Sequence, residues 1–318
     1  MKGTIFIRSA SCGGALLLAL AATGPVVAQE KYPSRPIEFV VPWGPGGGAD
    51  QLARKIAPAL EKELKVSLPV INVAGATGQT GLNKMLTSPA DGYSISVFIA
   101  DTLALQMDSA TKWKITDIVP AGVVIQQPSA FFVAAGSPLK TWKDVEAEAK
   151  KRPLKVAVTG FGSADDLHVI YFNQKGLKLT SVPFPKPAER YTAILGGHAD
   201  ILYEQLGDVR SFLDGKQMRP IVIFADQRFP PFKDVPASKE LGHDIAISQF
   251  RAIVMKAGTD AKRVNAVSDA LAKAVSTSDY KEWLEKQYAD ENSFVPAAKA
   301  VAFMKRELET MRKYAPKK

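Results

Sequence analysis

A single cysteine, Cys12, and three histidines occur in 318 residues. One thiol cannot make an intrachain disulfide or hold an iron–sulfur cluster. The histidines, His168, His198 and His243, form neither H-x-x-x-H nor H-E-x-x-H, so the spacing of a zinc site is missing. No G-x-x-x-x-G-K-[ST] occurs, which removes the Walker phosphate loop, and no G-x-S-x-G elbow surrounds Ser163. No apolar run approaches the roughly 20 residues that span a bilayer. Basic residues are scattered, with no arginine-rich block or aromatic-interleaved stripe, so nucleic acid is not an expected partner. Neither a metal, a cofactor nor a catalytic residue is expected.

What is present starts with an export signal. Lys2 and Arg8 precede an apolar run at 13–22, and Val26 and Ala28 then occupy the −3 and −1 positions before Gln29. This is the pattern of a cleaved Sec-type signal peptide, without a twin arginine. Cys12 precedes the apolar run rather than following it, so a lipid anchor is not expected. Loss of Lys2 and Arg8 lowers the formal charge from +9 to +7. Hydrophobic residues make up 46% and charged residues 23%, enough for a sizeable core. A folded part near 290 residues is where one core usually divides into two.

Short apolar β-like runs alternate with amphipathic helical stretches. Residues 37–41 read as a strand, 44–48 as a glycine-rich loop and 49–64 as a helix, with Leu52, Ile56, Leu60 and Leu64 at i, i+4 spacing. Pro58 either kinks that helix or divides it. A strand at 68–73, a second glycine-rich loop at 75–81 and a strand at 94–99 complete a βαβαβ unit, the signature of a parallel sheet. The middle repeats this grammar, with a third glycine-rich turn at 159–164. Segments 119–127 and 245–255 read as passages between two lobes.

Three times, then, a strand runs through glycines into a helix. The first N–H groups of a helix have no partner within it, and glycine lets an anion approach them. At the carboxyl ends of parallel strands such turns line a crevice. Glycines also serve simply to permit tight turns, but three such loops in an exported chain favour a carboxylate-binding cleft. Gly44-x-Gly46-x-x-Ala49 matches a loose dinucleotide fingerprint, yet the second strand does not end in the acid that would hold a ribose.

The stretch Tyr32-Pro33-Ser34-Arg35-Pro36-Ile37, Val41-Pro42-Trp43 and Pro45-Gly46-Gly47-Gly48-Ala49-Asp50 resembles the opening of the Bug family, the TctC-type substrate-binding proteins of tripartite tricarboxylate transporters. The resemblance continues collinearly through Gly75-Ala76-Thr77-Gly78, Asp91-Gly92-Tyr93, Gly162-Ser163 with His168, Val182-Pro183-Phe184, Leu195-Gly196-Gly197 and Glu240-Leu241-Gly242. It implies an α/β, two-lobe periplasmic-binding-protein fold of type II-like build, closing on a small organic carboxylate, with membrane permease subunits as partners. It also implies that Trp43, Gly46, Gly47, Gly48 and Asp50 bind ligand with Thr77 and Gly78 from the first lobe, and Gly162, Ser163 and His168 from the second. Three departures stand out. The spacing from Gly162 to His168 is longer than usual, Val73-Ala74 replaces an Arg-Pro, and Glu204-Gln205 replaces a shorter acid or amide. Glu204, with Asp165 and Asp166, either makes one side of the cleft acidic or points to solvent.

The expected division is a signal peptide at 1–28, one lobe from 29–125 and 247–318, and a second lobe at 126–246. The expected function is capture of a small carboxylate for a transporter. A sensory binding protein needs the same cleft, and a secreted hydrolase would need a catalytic constellation that the sequence lacks. Sequencing the N-terminus of protein from a periplasmic extract is expected to read from Gln29 or beside it; Met1 on membrane-bound protein would contradict the export reading.

Overall fold

The computed structural model describes residues 1, 3–4 and 31–315. The signal-peptide residues from Lys2 and Arg8 to Gln29 lie outside the described residues, apart from Gly3 and Thr4. The described residues from Tyr32 onward form one compact unit, which carries everything described below.

The first sheet begins with β1 (Glu38–Val41), followed by α1 (Gly48–Leu64), β2 (Val70–Asn72), α2 (Gln79–Thr87), β3 (Ser94–Ile99), the short α3 (Ala100–Ala104) and β4 (Ile118–Gln127). The chain then builds a second sheet from β5 (Ser129–Ala134), α4 (Trp142–Lys151), β6 (Leu154–Val158), α5 (Ala164–Gln174), β7 (Leu179–Pro183), α6 (Pro187–Leu195), β8 (Ile201–Gln205), α7 (Arg210–Asp214) and β9 (Met218–Ile223). It returns to the first through β10 (Gln249–Lys256), α8 (Ala261–Ser276), α9 (Ser278–Lys286), β11 (Val295–Pro296) and α10 (Ala297–Arg312).

The first sheet has the order β11-β4-β10-β3-β1-β2 and the second β7-β6-β8-β5-β9. In each, a parallel trio comes from a β-α-β-α-β run: β1 lies between β2 and β3, and β6 between β7 and β8. An antiparallel strand, β10 or β5, then lies against β3 or β8. The same local unit is thus built twice, one per lobe. The segments expected to be simple passages are instead β4 and β10, long strands paired to each other in the first sheet.

Alternation along β1 places the trio between helical layers. Phe39 and Val41 join Leu52, Ile56 and Leu60 of α1 on one face, while Val40 joins Leu82 and Met85 of α2 on the other. Alternate residues of a strand point to opposite faces, so such a strand needs apolar residues on both. Helix α1 runs unbroken through Pro58 and ends on Lys65 in the left-handed region. In the second lobe Phe131, Trp142, Phe172 and Phe224 pack ring against ring, with Trp142 and Phe172 centroids 4.7 Å apart. Each fully buried ring of this kind contributes about 1.5–3 kcal/mol. After α10, Tyr314 sets its ring 6.1 Å from that of Tyr171 on α5.

Candidate functional site

Every β–α connection of the two trios leaves a strand at its carboxyl end, so six loops face one another across the two lobes. The first of each trio carries glycine for a stated reason. Gly46 has φ +84° and Gly162 φ +73°, the left-handed region where a side chain is strained. Each precedes the N-cap residue of its helix, Gly47 for α1 and Ser163 for α5.

An aspartate at the third helical position locks each turn. The Gly46 N–H donates to Asp50 Oδ2 at 3.0 Å, and the Gly162 N–H donates to Asp166 Oδ2 at 2.8 Å. The neighbouring strand holds the other carboxylate oxygen: Asn72 Nδ2 donates to Asp50 Oδ1 at 3.0 Å, and the Ser181 hydroxyl to Asp166 Oδ1 at 2.5 Å. The Arg54 guanidinium adds a further bond to Asp50 at 3.0 Å. Burial would raise the Asp50 carboxyl, but the bonds from Arg54, Gly46 and Asn72 outweigh it and hold the group below the usual carboxylate value. Ser163 caps α5 by accepting from the Asp166 N–H at 3.2 Å.

The loops then pair crosswise. A Cβ on Gly47 would overlap the Pro187 ring at the start of α6, and one on Gly44 would touch Pro187 and Lys186. A Cβ on Gly48 would enter the Asp208 carboxylate and the Arg251 guanidinium. On the other side, a Cβ on Gly160 would overlap the Thr77 hydroxyl. So the first loop of one lobe meets the second loop of the other, and the reverse. A cavity of about 340 Å³ lies beside the Thr77–Gly160 approach, lined also by Ala76, Gln79, Leu105, Thr159 and the exposed Phe161. A second, of about 370 Å³, lies beside the Gly47–Pro187 approach, lined also by Gly46, Gln51, Tyr191 and Asp208. Both volumes fall within the range of small-molecule sites.

Between these contacts the polar side chains are buried. Arg190 of α6 pairs with Glu204 of β8, Tyr191 donates to the same Glu204 oxygen at 3.0 Å, and Arg190 Nη1 donates to the Phe184 carbonyl at 3.1 Å. Arg251 of β10 pairs with Asp208 and bonds Gln127 and Gln205 at 2.9 and 3.0 Å. Burial pushes the Asp208 carboxyl up to about 6 in spite of Arg251. Asp165 accepts from both the Thr159 N–H and hydroxyl at 2.8 Å, and its own N–H approaches Asp101 Oδ1 at 3.4 Å. Among the described residues no group of three or more potential ligands is arranged to hold a metal ion, and no helix is long and apolar enough to cross a membrane.

Residues 52–312 match the family described as tripartite tricarboxylate transporter family receptor. The chain belongs to that family. Protein BugT of Bordetella pertussis is 29% identical over 256 residues, 78% of each chain. A TctC solute binding protein from Polaromonas, solved with no ligand, is 29% identical and superposes with a TM-score of 0.64 over 89% of this chain and 98% of its own. MatC from Rhodopseudomonas palustris, solved with bound malate, is 22% identical with a TM-score of 0.81 over 89% and 99% of the two chains, a likeness of fold. The fold is that of the two-lobe periplasmic binding proteins.

In this receptor the residues singled out from sequence fall into two groups. Trp43, Gly46, Gly47, Gly48, Thr77 and Gly78 belong to the first-lobe loops that face the second lobe. The Trp43 ring lies against Gly78, and its indole Nε1 has no partner among the described residues. Gly162 and Ser163 form the matching turn of the second lobe. Asp50, expected to touch ligand, spends its carboxylate on Gly46, Arg54 and Asn72. His168 Nδ1 donates to the Ala164 carbonyl at 2.8 Å and the ring packs at a tilt against Tyr203 and Phe224; burial lowers it to about 3, so the ring is neutral. Of the acids left open, Glu204, Asp165 and Asp166 are all buried rather than solvated, and Arg190 neutralises Glu204. Sequence reasoning missed Asp101, Pro187, Arg190, Asp208 and Arg251. Gly47 itself has φ −82°, and Gly46 carries the left-handed turn.

Gly47→Val should therefore act through the other lobe. The backbone at 47 accepts a side chain, but the Pro187 ring occupies its place, so the variant should fold and show a larger radius of gyration. Gly46→Ala meets no neighbour and should cost about 1–2 kcal/mol of stability at unchanged radius, from left-handed strain alone. Scattering and denaturation check both; an unchanged radius in Gly47→Val would mean that this contact does not hold the loops together.

Proposed function

We propose that the receptor is an exported solute-binding protein that closes two lobes on a small organic carboxylate and presents it to the membrane subunits of a tripartite tricarboxylate-type transporter. The observation that carries this reading is a pair of aspartate-locked glycine turns, one per lobe, each opening a helix and each meeting the second loop of the other lobe. The N–H groups of Gly47, Gly48 and Ala49 at the head of α1 have no carbonyl partner within the helix, and a carboxylate suits such an end by hydrogen bonding and by the helix dipole. Trp43, Thr77, Gly78, Gly162 and Ser163 complete the proposed grip. His168 and Asp50 act behind it, by packing and by locking the turn. The malate bound to MatC supports an acid of that size.

The lobes in this reading are 29–125 with 247–318, and 126–246. They are joined where β4 passes through Pro128 into β5, and where 245–249 leads back into β10. A periplasmic location follows from the family and from the signal-like N-terminus.

A thermal-shift screen of di- and tricarboxylates, hydroxy acids, aromatic acids and amino acids tests the proposal. An acid that binds only the folded chain stabilises it by about 2.7 kcal/mol at a hundredfold excess over Kd, several degrees for a chain of this size. For the acid found, calorimetry should show Ser163→Ala weaker by roughly 0.5–1.5 kcal/mol, more if the hydroxyl meets charge. If no carboxylate of any class shifts the melting temperature, the receptor does not capture free acids.

A further inference from the structure

Two carboxyl groups meet between the lobes without a cation of their own. Asp101 stands at the start of α3, directly after β3 of the first sheet. Asp165 stands in the first turn of α5, after β6 of the second. Both are at most 2% exposed. The Asp165 N–H points to Asp101 Oδ1 at 3.4 Å, which brings the two side chains together across the lobes. Thr159 satisfies Asp165 Oδ2 twice, while Asp165 Oδ1 meets no donor among the described residues.

The charged and titratable groups around the pair are few. Arg190 of α6 is the near cation, but Glu204 of β8 already takes its charge. Tyr203 of β8 donates its hydroxyl to Ser129 at 2.7 Å, and burial keeps it neutral. His168, one turn along α5, is neutral as described. Asp208 is paired with Arg251. Counting these groups, neither charge of an ionised Asp101–Asp165 pair is balanced by a cation of its own.

Two carboxylates in contact in a low-dielectric interior cannot both stay ionised. A shared proton removes the repulsion and supplies the donor that Asp165 Oδ1 lacks. Separated by an opened cleft and returned to water, both groups ionise at ordinary carboxyl values near 4. We propose that closing the lobes takes up one proton from solvent onto the Asp101–Asp165 pair, so that the closed, ligand-holding form is favoured at lower pH. This rests on the capture reading above. The direction of the equilibria agrees: burial first, and then the Asp101 carboxyl, push Asp165 well above the usual carboxylate range, and burial raises Asp101 as well.

The sign follows from linkage. The closed form binds more protons than the open form between the ordinary carboxyl value and the raised value of the pair. Closure therefore weakens as pH rises through that window, and affinity for an acid falls with it by up to about tenfold per pH unit for one proton. Asp208 adds its own pH dependence, so the comparison must be with variants of the pair.

Small-angle scattering of the unliganded chain, at about pH 5 and about pH 8, reads the device directly. The wild type should expand as pH rises. Asp165→Asn keeps an acceptor for Thr159 and offers Asp101 an amide donor, so it should stay compact at both values; Asp101→Asn, changed from the other lobe, should do the same. Equal expansion in all three proteins, or no expansion of the wild type, would overturn the inference. Malate as probe acid, added to the wild type at the lower pH, separates this from the capture reading. Contraction with malate and no pH response leaves capture standing and the proton pair refuted.

Discussion

A glycine N–H held by the carboxylate of an aspartate four residues later is the small device on which this cleft depends. The turn before α1 needs a left-handed residue, and glycine accepts that at little cost, but a glycine turn alone is loose. Asp50 fixes it, Asn72 of β2 fixes Asp50, and the same Asn72 amide bonds the Trp43 carbonyl at 3.0 Å. Asp166 and Ser181 do the same before α5. Rigid turns are what allow one lobe to meet the other at the width of a bare glycine, as at Gly47 against Pro187 and Gly160 against Thr77. A locked helix head also presents its remaining N–H groups in a fixed direction. Preorganised donors bind an anion without the cost of ordering them first.

Much of the framework was legible in the sequence because it is local. The apolar alternation of β1, the i, i+4 stripe of α1 and the glycine turns are each written in a short stretch of consecutive residues. The family resemblance rested on those same turns, and the match over 52–312 bears it out. Pro58 left the helix intact, and Ile56, Ala57 and Leu60 around it are buried.

What the sequence concealed is what joins distant segments. Arg251 reaches Asp208 across 43 positions and Gln127 across 124, and Asp101 meets Asp165 across 64. No spacing rule relates such residues, because their meeting is set by two sheets folding separately and then facing. The roles of β4 and β10 were hidden for a similar reason. An apolar run buried on both faces reads alike as a passage or as a central strand, and only pairing distinguishes them. Which glycine of the run carries positive φ is likewise not written in the run itself: it is Gly46, whose N–H Asp50 catches. His168 was chosen from the family pattern, yet its position on α5 turns it toward Tyr203 and Phe224.

The central claim is that the two lobes close together on a small acid. With its signal removed as expected, the chain has no cysteine, so paired labels can be placed cleanly at the exposed positions Lys112 and Glu189, one on each lobe. Pulsed dipolar spectroscopy of Lys112→Cys with Glu189→Cys, with and without the acid that most raises the melting temperature, measures the lobe separation directly. The account predicts a broad or longer distribution that contracts to one short distance on binding. An unchanged distribution, with the acid demonstrably bound, would contradict it.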